Sequence, residues 1–169
     1  DNHVVMERIS ERGLFEATLP GKLPRFTYEL EVLFEDSRLW LHEDPYAFAL
    51  DLATLDTGAI ADGPELRIYE QLGAHLVKKL DTSGVRFAVW APNAMSVSVV
   101  GDFNQWDGRR HPMQLHRSNG TWELFIPDIR EGDKYKYEVK THYKGYRVLK
   151  ADPVAFATEL RPNNASVVW

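Results

Sequence analysis

The run Val85-Arg-Phe-Ala-Val-Trp90 decides the fold class of this chain. It alternates apolar with other side chains and stops at the turn residues Ala91-Pro92-Asn93. Short alternating runs between turns are typical of an antiparallel sandwich or barrel. The same pattern returns in three further runs, which are Val97–Val100, Trp122–Ile126 and Tyr135–Lys140. We therefore predict an all-β fold.

Composition excludes several classes of function. The 169 residues are 44% apolar and carry 25 acidic against 20 basic side chains, so the chain can bury a core but lacks the basic excess that nucleic-acid binding favours. No apolar run approaches the ~20 residues of a membrane-spanning helix, so we expect no membrane partner. The absence of cysteine excludes disulfides and thiolate chemistry and fits a cytoplasmic location. The six histidines form no metal-binding motif, and we predict neither a metal nor a cofactor.

An internal repeat divides the chain. Three blocks recur in the same order at offsets of 107, 109 and 108 residues: Gly13–Pro20 with Gly120–Pro127, Phe26–Leu30 with Tyr135–Val139, and Asp44–Ala49 with Asp152–Ala157. Each match alone is weak, but three at nearly one offset indicate two copies of one β-module.

The two copies differ in completeness. Only twelve residues precede Gly13, too few for the strands that precede the matching block in the second copy. We predict tandem immunoglobulin-like β-sandwich modules, the first truncated, and expect the chain to be a piece of a longer protein. Residues 1–56 form the C-terminal part of the first module, residues 57–79 a linker with a short helix over Glu65–Leu72, and residues 80–169 the complete module.

The stretch Gly101-Asp-Phe-Asn-Gln-Trp-Asp-Gly108 is the strongest candidate for a functional site. Turn residues flank Trp106 and place it at a loop tip or strand edge. The indole then either packs inward and closes the sandwich or serves as a platform for the apolar face of a sugar. In the second case, Asn104 and Lys136 are expected to bind the sugar hydroxyls.

These motifs resemble a known family. The stretches Phe87–Asn93 and Val97–Asp107, with Tyr135-Lys136-Tyr137 and Asp152-Pro153, are similar to a family 48 carbohydrate-binding module. Three more stretches resemble bacterial glycogen branching enzymes, namely Tyr69–His75, Asp107–Met113 and Arg161–Ser166.

The resemblance implies that the parent enzyme transfers α-1,4-glucan segments to 6-hydroxyls on a (β/α)8 barrel outside this chain. The chain then contains no catalytic residue and is inactive alone. The implied partners are α-1,4-glucan and the barrel of the same parent. A shallow site of this kind is expected to bind weakly, roughly between millimolar and tens of micromolar.

The resemblance also implies site residues. Trp106 and Lys136 match an aromatic platform and a lysine of the family, and Asn163 or Asn164 matches its asparagine. Tyr146 is a candidate for the second aromatic. In an alternative, Trp106 packs on the barrel together with Arg109, Arg110 and His111.

Two other functions stay open at this stage. The modules could be a scaffold that braces the barrel without binding sugar, or a regulatory glycogen-binding subunit with no enzyme attached. Among the other tryptophans, Trp40, Trp90 and Trp122 are expected in the cores of their modules.

Overall fold

The computed structural model describes residues 3–21, 26, 28–35, 37–55 and 67–169. This part of the chain consists of strands joined by turns, which confirms the predicted all-β class. It contains no helix with the length and hydropathy to cross a membrane. The strands are β1 Glu7–Ser10, β2 Leu14–Glu16, β3 Glu29–Leu33, β4 Leu39–Glu43, β5 Gly73–Lys79, β6 Thr82–Trp90, β7 Ala94–Gly101, β8 Gln114–His116, β9 Thr121–Pro127, β10 Lys134–Thr141, β11 Arg147–Lys150, β12 Ala157–Thr158 and β13 Ser166–Val167; the 3-10 turns are Pro45–Ala47, Leu52–Thr54, Ile68–Glu70 and Asp102–Asn104.

The second module is a sandwich of two antiparallel sheets. The first sheet has the order β5-β6-β9-β8, and in the second sheet β10 lies between β7 on one side and β11 and β13 on the other. Side chains alternate along each strand, so Tyr135 and Tyr137 of β10 point into the core while Lys136 and Glu138 point outward. The buried residues between the sheets include Val85, Phe87, Val97, Val99, Leu124, Ile126, Tyr135 and Tyr137.

The sandwich begins earlier than predicted. Residues 73–79, which were expected to belong to the linker, form β5 and pair with β6 from Gly73↔Ala88 to Lys79↔Thr82. Instead of the helix predicted over Glu65–Leu72, the described residues there contain only a 3-10 turn at Ile68–Glu70; Glu65 and Leu66 lie outside the described residues. The alternation of β5 is weak because its inward side chain is the small Ala74 while Leu76 is exposed.

The described part of the first module contains two hairpins. The β1–β2 hairpin and the β3–β4 hairpin form separate two-stranded sheets. Their apolar side chains are largely exposed, because no second sheet covers them among the described residues. Trp40 was predicted to be buried, but 46% of it is exposed. The exposed apolar residues include Ile9, Leu14, Phe15, Val32, Leu33, Leu39, Trp40 and Leu41.

The repeat predicted from sequence recurs as a repeated set of hydrogen bonds. In the first module, the Tyr28 hydroxyl donates to Oδ2 of Asp44 at 2.6 Å, and Oδ1 of Asp44 accepts from the backbone N–H of Tyr46 at 2.9 Å. In the second module, the hydroxyl of Tyr137, the repeat equivalent of Tyr28, donates to Oδ2 of Asp152 at 3.3 Å. Oδ1 of Asp152 accepts from the N–H two residues later at 2.9 Å.

The second copy of this contact is buried. The Tyr135 hydroxyl, which has no equivalent in the first module because Phe26 stands there, also donates to Asp152, at 2.6 Å, and both Tyr135 and Tyr137 are almost inaccessible. Burial raises the pKa of both phenols well above the usual range, and it also raises the pKa of Asp152. In the exposed copy, burial and the Asp44 hydrogen bond raise the pKa of Tyr28 to about 12.

The end of the first module covers one face of the second. Phe48 packs edge-on against Phe125, with ring centroids 4.6 Å apart, on the outward face of the first sheet. Glu123 on the same face is fully buried and accepts hydrogen bonds from the backbone N–H groups of Asp51 at 2.9 Å and Leu52 at 3.0 Å. Residues 44–55 therefore cover the outer face of the first sheet. They do not cover the outer face of the second sheet.

Candidate functional site

The outward face of β10 and β11 is polar and accessible. Lys136, Glu138 and Lys140 alternate along β10, and Arg147 and Leu149 lie beside them on β11. We call this surface the outer face of the second sheet. Donor and acceptor side chains are therefore mixed there with an exposed apolar leucine, a combination suited to an amphipathic ligand.

The loop that carries Trp106 has an unusual backbone. Gln105 and Trp106 both have left-handed conformations, with φ values of 59° and 60°. A residue other than glycine costs about 1–2 kcal/mol in this conformation. The loop is held in place because the N–H of Trp106 donates to the carbonyl of Gly101 at 2.9 Å.

Asn104 has a structural role, which corrects the expectation that it binds sugar. It is fully buried, and its amide oxygen accepts from the N–H of Gly101 at 3.0 Å. Its amide nitrogen lies 2.8 Å from the carbonyl of Val99 and 2.9 Å from Nδ1 of His111. A side chain without accessible surface cannot contact a ligand, so Asn104 anchors the loop instead.

Trp106 lies at the surface and does not close the sandwich core. The residue is partly exposed, and its indole N–H donates to the Asp102 carboxylate at 2.8 Å. The core cluster between the sheets contains Trp122 and not Trp106. Of the two expectations for this residue, the inward plug is therefore wrong.

The structure brings Lys136 and Asn164 together. The ammonium group of Lys136 donates to Oδ1 of Asn164 at 2.5 Å. Asn163 and Asn164 are both exposed, and the contact singles out Asn164 as the partner of the lysine. Lys136 opposes Val100 of β7, next to Gly101, which holds the backbone of Trp106. Trp106, Lys136 and Asn164 thus belong to one end of the outer face.

Tyr146 lies at the other end of the face. Its carbonyl accepts from the N–H of Thr141, the last residue of β10, at 2.8 Å, and the residue is well exposed. Thr141 is five residues from Lys136, about 17 Å along an extended strand. The structure therefore does not bring the backbone of Tyr146 close to Lys136.

The three residues predicted to dock on a barrel are in different situations. Arg109 is exposed and binds the carboxylate of Asp107 at 2.7–3.1 Å, which holds the pKa of Asp107 well below its usual range. Arg110 is exposed and contacts Gln105 at 3.5 Å. His111 is buried and packs on Phe103, so the expectation that it contacts another domain is corrected.

Glu138 and Arg147 were not predicted from sequence. Their side chains approach each other at 3.5 Å on the outer face of the second sheet. The alternation of β10 does place Glu138 on the same side as Lys136, so the signal was present. Among the described residues, no group of histidine, aspartate and glutamate side chains has an arrangement that could hold a metal ion.

Comparison with known sequences shows the family of this chain. The profile of carbohydrate-binding module 48, the isoamylase N-terminal domain, matches residues 71–155. The chain belongs to this family. It is also 48% identical over 162 residues to the 1,4-alpha-glucan branching enzyme GlgB of Novosphingobium aromaticivorans, a match that covers 96% of the chain and 22% of that protein. The chain therefore spans about a fifth of the length of this relative.

Solved structures that resemble the chain include pullulanases. One is the pullulanase of Klebsiella pneumoniae complexed with maltotriose, at 27% identity over 57% of the chain and 9% of that protein, with a TM-score of 0.46. Another is PulA of Klebsiella oxytoca, at 20% identity over 98% of the chain and 16% of that protein, with a TM-score of 0.48.

The family 48 match also bears on the site. It starts two residues before β5 and contains both Trp106 and Lys136, whereas Asn164 lies beyond its end. In this carbohydrate-binding module, the contact between Lys136 and Asn164 therefore joins the matched region to the strands that follow it.

Proposed function

We propose that this chain is a glucan-binding module of a glycogen branching enzyme. The observation that carries the proposal is the group formed by the partly exposed Trp106 and the Lys136–Asn164 pair at one end of the outer face. The indole offers its face to the apolar side of a glucose ring, the ammonium donates to hydroxyls, and the amide both donates and accepts.

The parent enzyme in this proposal transfers α-1,4-glucan segments to 6-hydroxyls. Such chemistry needs a pair of carboxylates about 5 Å apart across the glycosidic bond. No residue of this chain is assigned to that reaction, and its role is to hold glucan near the catalytic part. The 48% identity to a branching enzyme over 96% of the chain supports a branching enzyme as the parent rather than a regulatory subunit. A cytoplasmic location stays a prediction.

Affinity electrophoresis in a gel that contains glycogen tests the proposal. We expect glycogen to retard the wild-type chain. Trp106→Ala should abolish the retardation, and Lys136→Ala should reduce it. Trp169→Ala is a matched control, because it removes an exposed tryptophan outside this group. Equal retardation of the Trp106→Ala and Trp169→Ala variants would refute the proposed site.

A docking role is a second candidate, and the internal repeat favours a particular surface for it. Phe48 and Leu52 are buried against the second module, whereas their repeat equivalents Phe156 and Leu160 are 51% and 89% exposed. Phe156 contacts Tyr69 and His75 edge-on. In this alternative, the surface around Phe156 packs on the catalytic part. Substitutions in this surface should then leave the retardation of the chain by glycogen unchanged.

A further inference from the structure

The loop that carries Trp106 lies along β10. At one end, the N–H of Trp106 bonds to Gly101, which pairs with Tyr135. At the other end, Gly108 contacts the side chain of Glu138, three residues further along β10. The loop therefore runs past Lys136, which lies between these two positions.

Gly108 and Glu138 are unusually close. A Cβ atom at position 108 would stand 2.5 Å from Oε1 of Glu138 and 2.9 Å from its Cδ, so a larger residue would displace the carboxylate. The backbone of Gly108 does not have a positive φ, and glycine is therefore not required there by conformation. What favours glycine there is the close approach of the Glu138 carboxylate, which a larger side chain would push aside.

The Glu138 side chain is itself restrained. It is 21% exposed, and its carboxylate lies 3.5 Å from the guanidinium of Arg147 on the neighbouring strand. At that distance and exposure the ion pair contributes little, because solvent screens it. Glu138 therefore acts on the loop mainly through its contact with Gly108. This contact depends on the shape of the Glu138 side chain more than on its charge.

We propose that Glu138 is a positioning residue of the glucan site, which fixes the Trp106 loop beside Lys136 by packing against Gly108. This inference rests on the proposed function. A ring held in its bound position before the ligand arrives loses less conformational entropy on binding. The loop contains two left-handed residues; Asn104 holds it to Val99 and His111, and Glu138 contacts it from β10.

Two measurements on the same variants test the proposal. The first is the affinity for maltoheptaose, and the second is the amide and indole NMR spectrum without glucan. Glu138→Ala and Gly108→Ala should each weaken binding about fivefold or more. Glu138→Gln preserves the shape and should stay within about twofold of wild type. Glu131→Ala is the control, an exposed glutamate in the turn that precedes β10.

The indole N–H resonance of Trp106 separates positioning from general stability. It should shift in the Glu138→Ala variant and remain in place in Glu138→Gln, because only the first releases the loop. Wild-type affinity in Glu138→Ala, or an unmoved indole resonance, would overturn the proposal. A loss in Glu138→Gln equal to that in Glu138→Ala would also overturn it, since charge and not shape would then be responsible.

Failure of the proposed function gives a different pattern. If Trp106→Ala binds maltoheptaose like wild type, or if wild type does not bind, the glucan site is wrong. The indole resonance still decides in that case whether Glu138 positions the loop.

Discussion

The Asp-Pro corner of the first module, residues 44–48, and that of the second, residues 152–156, contain the same contacts in opposite surroundings. Asp44 is bonded by one exposed tyrosine, whereas Asp152 is bonded by two buried ones. The phenylalanine of the first corner, Phe48, is buried against the next module, while that of the second, Phe156, is half exposed. One sequence motif can thus stabilise a core in one copy and an interface in the other.

The difference shows that burial decides what such a contact contributes. A hydrogen bond to a charged group has a modest net effect where water can replace it. Where water is excluded, removal of one partner leaves the others without hydrogen bonds. The corner of the second module should therefore contribute more to the stability of the chain than that of the first.

The largest effect is expected for Asp152→Ala. This change removes the Asp152 acceptor of the buried Tyr135 hydroxyl and leaves the buried Tyr137 hydroxyl with the carbonyl of Ala88 alone. It should lower the free energy of unfolding by about 3 kcal/mol. Asp44→Ala, the matched change in the first module, should cost less than about 1 kcal/mol because Tyr28 is accessible to water. Urea denaturation measures both losses, and equal losses would show that the two corners are energetically equivalent.

The two phenylalanines should differ in the opposite direction. Phe48→Ala removes a buried ring that packs 4.6 Å from Phe125 and should cost about 3 kcal/mol. Phe156→Ala should cost less than about 1 kcal/mol, since half of the ring is exposed. Thermal unfolding compares the pair. A larger loss for Phe156→Ala would contradict the assignment of Phe48 as the interface residue.

Alkaline pH should destabilise the second module first. The pKa values of Tyr135 and Tyr137 are raised in the folded chain. Both protonated tyrosines therefore contribute fully to the stability of the folded chain below about pH 10, and this contribution is lost as the pH rises further. Each tyrosine contributes about 1.4 kcal/mol per pH unit to this loss. Tyr28 should ionise near pH 12 within the folded chain. Ultraviolet titration of tyrosinate, followed together with circular dichroism, tests this order; ionisation of all tyrosines before unfolding would contradict it.

The smallest effect on stability is expected at the site itself. Trp106→Ala should cost about 1 kcal/mol because the partly exposed ring lies outside the core cluster, whereas Asn104→Ala should cost about 2 kcal/mol by leaving buried partners unpaired. Urea denaturation distinguishes them. Unfolding of the Trp106→Ala variant would mean that the ring is part of the core.

Sequence predicted much of this molecule, with specific failures. The alternation of β6, β7, β9 and β10 is strong because large side chains face the core, and it predicted the fold. The alternation of β5 is weak because its inward residue is Ala74, so this strand was assigned to the linker. The repeat was visible in sequence, but its different burial in the two copies depends on packing against distant residues such as Phe125.

At the candidate site, the sequence predicted which side chains reach the surface better than it predicted what holds the loop. Trp106 and Lys136 follow from turn and strand patterns. Asn104 lies in the same motif, yet its amide bonds to Val99 and His111, which no spacing rule reveals. Glu138 needed the position of Gly108 in space, because the contact joins a loop to a strand thirty residues away.

The most direct test of the central claim is an NMR titration of the wild-type chain with maltoheptaose. We expect saturable shifts of the Trp106 indole N–H and of the amides around Lys136 and Asn164, with those of the β3–β4 hairpin unchanged. The glucan site is contradicted if the folded chain shows no shifts at maltoheptaose concentrations several times a roughly millimolar dissociation constant. The outer face of the second sheet would then not be a glucan site.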